Sequence, residues 1–211
     1  ANAAKTVVLQ AEPLMVQRRM LDTAVAGSAL LLLLPLLILT AVAIKLDSKG
    51  PIFFRQSRVG RDGRIFCMFK FRSMCSDAET LRAEVSGASD REGVCFKSRN
   101  DPRITRVGRF IRRFSIDELP QILNVFRGEM SIVGPRPALP EEVEAYPARA
   151  FGRLAVNPGI TGVWQVSGRA DIGFEQMIDM DLAYAASRTI LLDLVVILKT
   201  FRAVLTARGA Y

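Results

Sequence analysis

The chain has 211 residues, with 29 Lys+Arg against 21 Asp+Glu for a net charge of +8, and half of it is hydrophobic, enough for one ordinary domain with its own core. It contains no histidine, which excludes Ser-His-Asp triads, Cys-His pairs and His-ligated zinc, and leaves a carboxylate, Lys, Tyr or Cys as any general base. Cys67, Cys75 and Cys95 are odd in number and lack C-x-x-C spacing, which suits a reducing compartment better than a disulfide framework or a thiolate metal cluster.

From Thr23 to Ile44 the chain carries no formal charge, and as one straight helix this stretch is ~33 Å long, enough to cross a hydrocarbon core of about 30 Å. Lys45, Leu46 and Asp47 follow it without a small-residue cleavage site, so it reads as a retained segment. Basic residues flank both ends, Arg18 and Arg19 before and Lys45 and Lys49 after, so charge gives no orientation. Pro35 near the middle removes a helical hydrogen bond and predicts two arms of roughly 15 to 18 Å meeting at a kink. On physics alone, a kinked transmembrane helix and a re-entrant hairpin that leaves on the face it entered both stand.

Residues 51–74 predict a β-hairpin turning at Asp62-Gly63, with Ile65, Cys67, Phe69 and Phe71 alternating against Phe66, Met68 and Lys70, so that Lys70 and Arg72 share a face. Residues 76–98 are polar and weakly patterned, and are expected to form a short helix and a loop. Helical patterning returns over 104–114 and 119–126, while Gly128, Gly134-Pro135-Arg136-Pro137 and Asn157-Pro158-Gly159 mark turns. Residues 190–207 are amphipathic, with Leu191, Leu194, Val195 and Leu198 at helical spacing; such a helix can lie in the headgroup plane or pack its apolar face onto the core.

Arg99, Arg103, Arg106, Arg109, Arg112 and Arg113 form a basic run opposed by Asp101 alone, for which phosphate is the natural partner. Without interleaved Tyr or Trp and without a nucleic-acid-binding motif, lipid headgroups or a small phosphorylated substrate fit better than nucleic acid. Ser115 with Glu118 three residues later reads equally as a capping box, although Pro120 would fall in that helix's second turn, or as part of a catalytic pair, Asp117-Glu118, giving a nucleophile and a Mg²⁺ ligand. Arg136 between two prolines is either a phosphate contact on a stiff backbone or an exposed arginine on an ordinary turn. Asp179-Met180-Asp181 matches the D-x-D of metal-dependent glycosyltransferases, a pattern common by chance. Neither a dinucleotide-binding G-x-G-x-x-G nor a P-loop occurs.

In combination, Lys70-Phe71-Arg72-Ser73-Met74, Asp101-Pro102-Arg103-Ile104-Thr105, Ser115 to Gln121, Asn124 to Pro137, and Pro158-Gly159-Ile160-Thr161-Gly162 with Gln165, Gly168 and Arg169 resemble the bacterial sugar transferases, the monotopic phosphoglycosyl transferases. The similarity runs from about residue 15 to about 205. It implies an α+β fold in which a re-entrant membrane helix broken at Pro35 joins a small cytoplasmic catalytic domain with a β-hairpin, several helices and interfacial amphipathic helices. The expected divisions are 1–20 as a juxtamembrane segment, 21–47 as the re-entrant helix and 48–211 as the catalytic domain. Leu34 precedes the proline where relatives often have Ser, which removes a hydroxyl able to satisfy a freed carbonyl. Longer relatives carry additional N-terminal membrane helices, so the chain is expected to be a short member or part of a longer one.

The activity implied is transfer of a sugar 1-phosphate from a nucleotide sugar, UDP-linked, to polyprenol (undecaprenyl) phosphate, with release of UMP, as the first membrane step of exopolysaccharide or glycoconjugate synthesis. The resemblance assigns Asp117 as nucleophile and Glu118 as Mg²⁺ ligand. Lys70, Arg72, Arg112, Arg136, Gln165 and Asp181 are the candidate substrate-phosphate contacts. Expected partners are the sugar donor, the lipid acceptor and membrane lipid at the cytoplasmic face of the bacterial inner membrane, with self-association left open. Two rivals remain at this point: a single-step glycosyltransferase using Asp179 and Asp181 for its metal, and a non-enzymatic protein that binds anionic lipid.

Overall fold

The structure is a computed structural model that describes residues 2–75, 78, 80, 101–168 and 172–206. The segment expected over 76–98 lies almost wholly outside these residues, as do Cys95, Arg99 and Arg169. Helix α1 (Asn2–Asp47) is followed by a hairpin of β1 (Phe53–Val59) and β2 (Ile65–Phe71), then α2 (Arg106–Arg113), a 3-10 helix (Ile116–Gln121) and α3 (Ile122–Arg127). The chain continues through β3 (Ser131–Val133), α4 (Pro140–Glu144), a second 3-10 helix (Ala148–Ala155), β4 (Gly159–Thr161), α5 (Val163–Ser167), α6 (Phe174–Ser187) and α7 (Ile190–Thr206). Helices and small sheets are mixed: β1 and β2 pair antiparallel, β3 and β4 parallel. Residues 131–133 and 159–161, between the predicted turns, thus form a second sheet that the sequence reading does not contain.

Helix α1 stays helical through Pro35, in place of the expected break into two helices. Its 33 residues from Met15 to Asp47 are long and apolar enough to cross a membrane. They also lie along the rest of the protein on both sides of the proline. Before it, Ala26, Ala29, Leu30 and Leu33 pack with Phe66, Met68, Ile122, Val125 and Met130. After it, Leu37, Ala41 and Ile44 pack with Phe71, Ile111, Val107 and Ile116. Polar ties reinforce each arm: Asp22 accepts from Ser131 Oγ (2.6 Å), and Asp47 accepts from Val107 N at the start of α2 (3.0 Å). The opposite side of α1 is bare, with Leu31, Leu32 and Leu39 among the most exposed residues.

The hairpin forms in the register Phe54↔Lys70, Gln56↔Met68 and Arg58↔Phe66. Its turn is longer than a two-residue loop. Asp62 (φ 57°) and Gly63 (φ 76°) both occupy the left-handed region, and Gly60 N donates to Arg64 O (2.8 Å) to close it. Phe66 and Met68 are buried while Ile65 and Cys67 face out, so Lys70 stands on the inward side. The β3–β4 pair needs glycine at both ends of its closest approach, since a Cβ on Gly159 would lie 2.1 Å from Gly134 N. α7 presents two apolar faces. Leu192, Val196 and Ile197 pack with Val133 and Tyr184, and Leu191, Leu194, Leu198 and Phe201 are exposed.

Candidate active site

The capping reading of Ser115 fails on geometry. Ser115 adopts a left-handed conformation (φ 55°) with no side-chain cap, and the following 3-10 helix accommodates Pro120 before α3 begins at Ile122. The tight 3-10 turn delivers Asp117 and Glu118 to a cleft between the hairpin and the Gly134–Ala138 loop, where Glu118 Oε1 accepts from Lys70 Nζ (2.7 Å) and Arg136 Nη1 (3.4 Å). Beside the acid pair, Lys70 and Arg136 line a small pocket together with Arg58, Met68, Gln121, Pro137, Gly159 and Ile160.

Burial raises the Glu118 carboxyl, but Lys70 and Arg136 more than offset it and hold it down to about 2. Asp117 is pushed the other way, up to about 6, first by burial and then by the Glu118 carboxylate, against the pull of Lys70, Arg112 and Arg136. Two adjacent carboxylates are thus driven apart. Asp117 remains mostly ionised at neutral pH while being more basic than a solvated aspartate, a useful combination in an oxygen nucleophile. Lys70, Arg112 and Arg136 outnumber the two carboxylates, so positive charge is left to spare for phosphate.

The structure gathers Asp117, Glu118, Lys70, Arg112 and Arg136 and assigns other work to the remaining candidates. Arg72 is buried and donates to Ser48 O (2.8 Å) and Lys49 O (2.8 Å), so it clamps the end of α1 instead of facing the cleft. Asp181 is also buried and pairs with Arg153 (2.6 Å) behind the Arg136 loop. Gln165, on α5, reaches back to Ile160 O (3.5 Å), at the strand that floors the cleft. The D-x-D pair is divided, because Asp179 is exposed and engaged by Arg149 whereas Asp181 points into the interior. Asp179 and Asp181 therefore form no shared metal pair.

Arg58 was missed. Its Nη1 donates to Pro137 O (3.0 Å), and it enters the cleft because residues 54, 56 and 58 share the face of residues 66, 68 and 70. Applying to β1 the same alternation that places Lys70 on β2 would have found it. Among the described residues, no group of three or more His, Cys, Asp or Glu converges on one point, so there is no all-protein metal cage. The donor set still fits Mg²⁺ in the mode that uses one or two carboxylates together with substrate phosphates. Both cations sit on Glu118 Oε1.

Residues 14–207 match the family of bacterial sugar transferases. The chain belongs to that family. It is 43% identical to the galactosyl transferase CpsE of Streptococcus agalactiae over 93% of its own length and 44% of that protein. It is 39% identical to the exopolysaccharide production protein ExoY of Rhizobium meliloti over 92% of its own length and 88% of that protein. It is 43% identical to the undecaprenyl-phosphate glucose phosphotransferase of Komagataeibacter xylinus, over 97% of the chain and 39% of that protein. The chain therefore spans less than half of two of these relatives and most of the third.

Proposed function

We propose that this sugar transferase moves a sugar 1-phosphate from a UDP-sugar to undecaprenyl phosphate in two steps, through a phosphosugar ester of Asp117, with release of UMP. The observation that carries the reading is the Asp117-Glu118 pair in a cleft whose cations exceed its carboxylates. In the first step an Asp117 carboxylate oxygen attacks the sugar-bearing phosphorus. The O–P bond forms as the bridging oxygen leaves with UMP, and no proton need be removed from the nucleophile. Lys70, Arg112 and Arg136 offset the charge on the phosphoryl oxygens and the departing nucleotide, the main demand of phosphoryl transfer. In the second step an acceptor phosphate oxygen attacks the same phosphorus, frees Asp117 and yields the lipid-linked sugar diphosphate. Mg²⁺ held through Glu118 would supply further neutralisation of phosphate charge.

The acceptor assignment draws support from the Komagataeibacter xylinus relative, named an undecaprenyl-phosphate glucose phosphotransferase, and a place in exopolysaccharide synthesis from the Rhizobium meliloti one, named an exopolysaccharide production protein. For the membrane we propose that α1, continuous through Pro35, sets its bare leucine side into the bilayer with both of its ends on the cytoplasmic face of the inner membrane. Support comes from Arg19 donating to Phe126 O (2.7 Å) and Asp47 accepting from Val107 N (3.0 Å), which tie both ends of the apolar stretch to one catalytic body. A spanning helix would carry one of those ends across ~30 Å of hydrocarbon. The exposed leucines of α7 lie in the headgroup region on this reading. Accessibility labelling should find Arg19 and Asp47 on one face of the membrane; flanks on opposite faces would contradict this topology.

The nucleotide product tests the chemistry. With labelled UDP-sugar, Mg²⁺ and undecaprenyl phosphate, the expected product is UMP. Release of UDP would establish single-step glycosyl transfer, and liposome binding without turnover would establish a lipid-binding protein.

A further inference from the structure

The loop that carries Arg136 is held in an unusual way for an irregular segment. Pro135 and Pro137 have no N–H to give, and four successive carbonyls are each taken by a different donor. Gly159 N donates to Pro135 O (2.9 Å), Arg153 Nη2 to Arg136 O (3.2 Å), Arg58 Nη1 to Pro137 O (3.0 Å) and Val59 N to Ala138 O (2.9 Å). Three of these donors sit on the sheets that wall the cleft. The fourth, Arg153, comes from the second 3-10 helix and is itself buried. Its Nη2 also donates to Asp181 on α6 (2.6 Å), and its Nη1 donates to Tyr146 Oη (2.6 Å), the ring of which lies beneath the guanidinium. A buried, planar donor with three fixed acceptors has one orientation, and a lysine in its place would satisfy fewer of them.

We propose that Arg153, fixed by Asp181 and Tyr146, is a positioning residue for the transfer: by holding the Arg136 carbonyl it sets where the Arg136 guanidinium stands, against Glu118 and within reach of the transferring phosphoryl group. The carboxylate of Asp181 then acts on the reaction at two removes, without touching substrate. This inference rests on the proposed function, and its test separates the two. Misplacing one charge-stabilising group by about 1 Å costs on the order of 10²-fold in favourable cases, so partial loosening of Arg136 should cost less.

The test is a double-mutant cycle in the full chain, reconstituted with membrane lipid, with Arg153→Lys and Arg136→Ala made singly and together. Arg153→Lys is expected to lower kcat about tenfold alone and less than about twofold in the Arg136→Ala background. Equal losses in both backgrounds would reduce Arg153 to a purely structural part and overturn the proposal. If Arg153→Lys lowers yield or Tm too far, Tyr146→Phe, which deletes one hydroxyl, runs the same cycle with an expected loss of about threefold that again vanishes without Arg136. Affinity for UDP-sugar in the Asp117→Asn background gives a second readout, in which the same non-additivity is expected. Donor that binds but shows additive effects refutes the positioning role alone, and donor that does not bind refutes the functional reading on which it rests.

Discussion

Glu118 and Asp181 are both carboxylates paired with arginine on either side of one short loop, and they do opposite things. Glu118 is 20% exposed and shares its single engaged oxygen with Lys70 at 14% and Arg136 at 39%, in a cleft where cations are in surplus. Asp181 and Arg153 are 2% and 3% exposed, matched one to one, with Tyr146 taking a further donor. A surplus of reachable positive charge is a binding device; a matched and enclosed pair is a structural one, which holds its neighbours in place and is costly to break on one side only. The comparison also sorts the arginines that composition alone cannot, since Arg72 behaves like Arg153 and clamps backbone carbonyls.

The sharpest way to break this contrast is Asp117→Asn, which should abolish turnover by at least ~10³-fold while leaving Tm and membrane fractionation unchanged. Chelation of Mg²⁺, or Glu118→Gln, comes next: loss of activity is expected with the first, and loss or a raised Mg²⁺ requirement with the second, read from a metal titration. Arg136→Ala should cost about 10²-fold in kcat with little change in Tm, because its side chain is exposed and stabilises charge, not packing. Asp181→Asn should reverse that pattern, with stability falling by about 3–5 kcal/mol in denaturant unfolding as Arg153 loses its buried counter-charge, and the rate falling less than in Arg136→Ala. Should Asp181→Asn leave stability intact, the division between the two networks fails.

Much of the site could be read from the sequence because its residues announce themselves locally. Asp117-Glu118 are adjacent, Lys70 follows from strand alternation, and Arg136 is framed by prolines. What could not be read depends on contacts between distant parts of the chain. Arg72 and Lys70 are two residues apart on one predicted face, yet the carbonyls of Ser48 and Lys49 at the end of α1 take up the Arg72 guanidinium. Ser115 and Glu118 have the spacing of a capping box, but Pro120 and a left-handed Ser115 yield a 3-10 helix in which Glu118 faces Lys70. The β3–β4 pair joins two three-residue strands separated by residues 134–158, too short for periodicity to register and visible only through their pairing. Likewise α1 shows a proline and an apolar run in the sequence, while the packing of both its arms on the catalytic body is a tertiary fact.

The proposed ester on Asp117 is tested most directly by omitting the acceptor. Protein incubated with sugar-labelled UDP-sugar and Mg²⁺, without polyprenol phosphate, should retain label after denaturation. The label should map to the peptide containing Asp117, be absent in Asp117→Asn, and be discharged when undecaprenyl phosphate is added. Full turnover with no retained label, or label that persists in Asp117→Asn, would contradict the account.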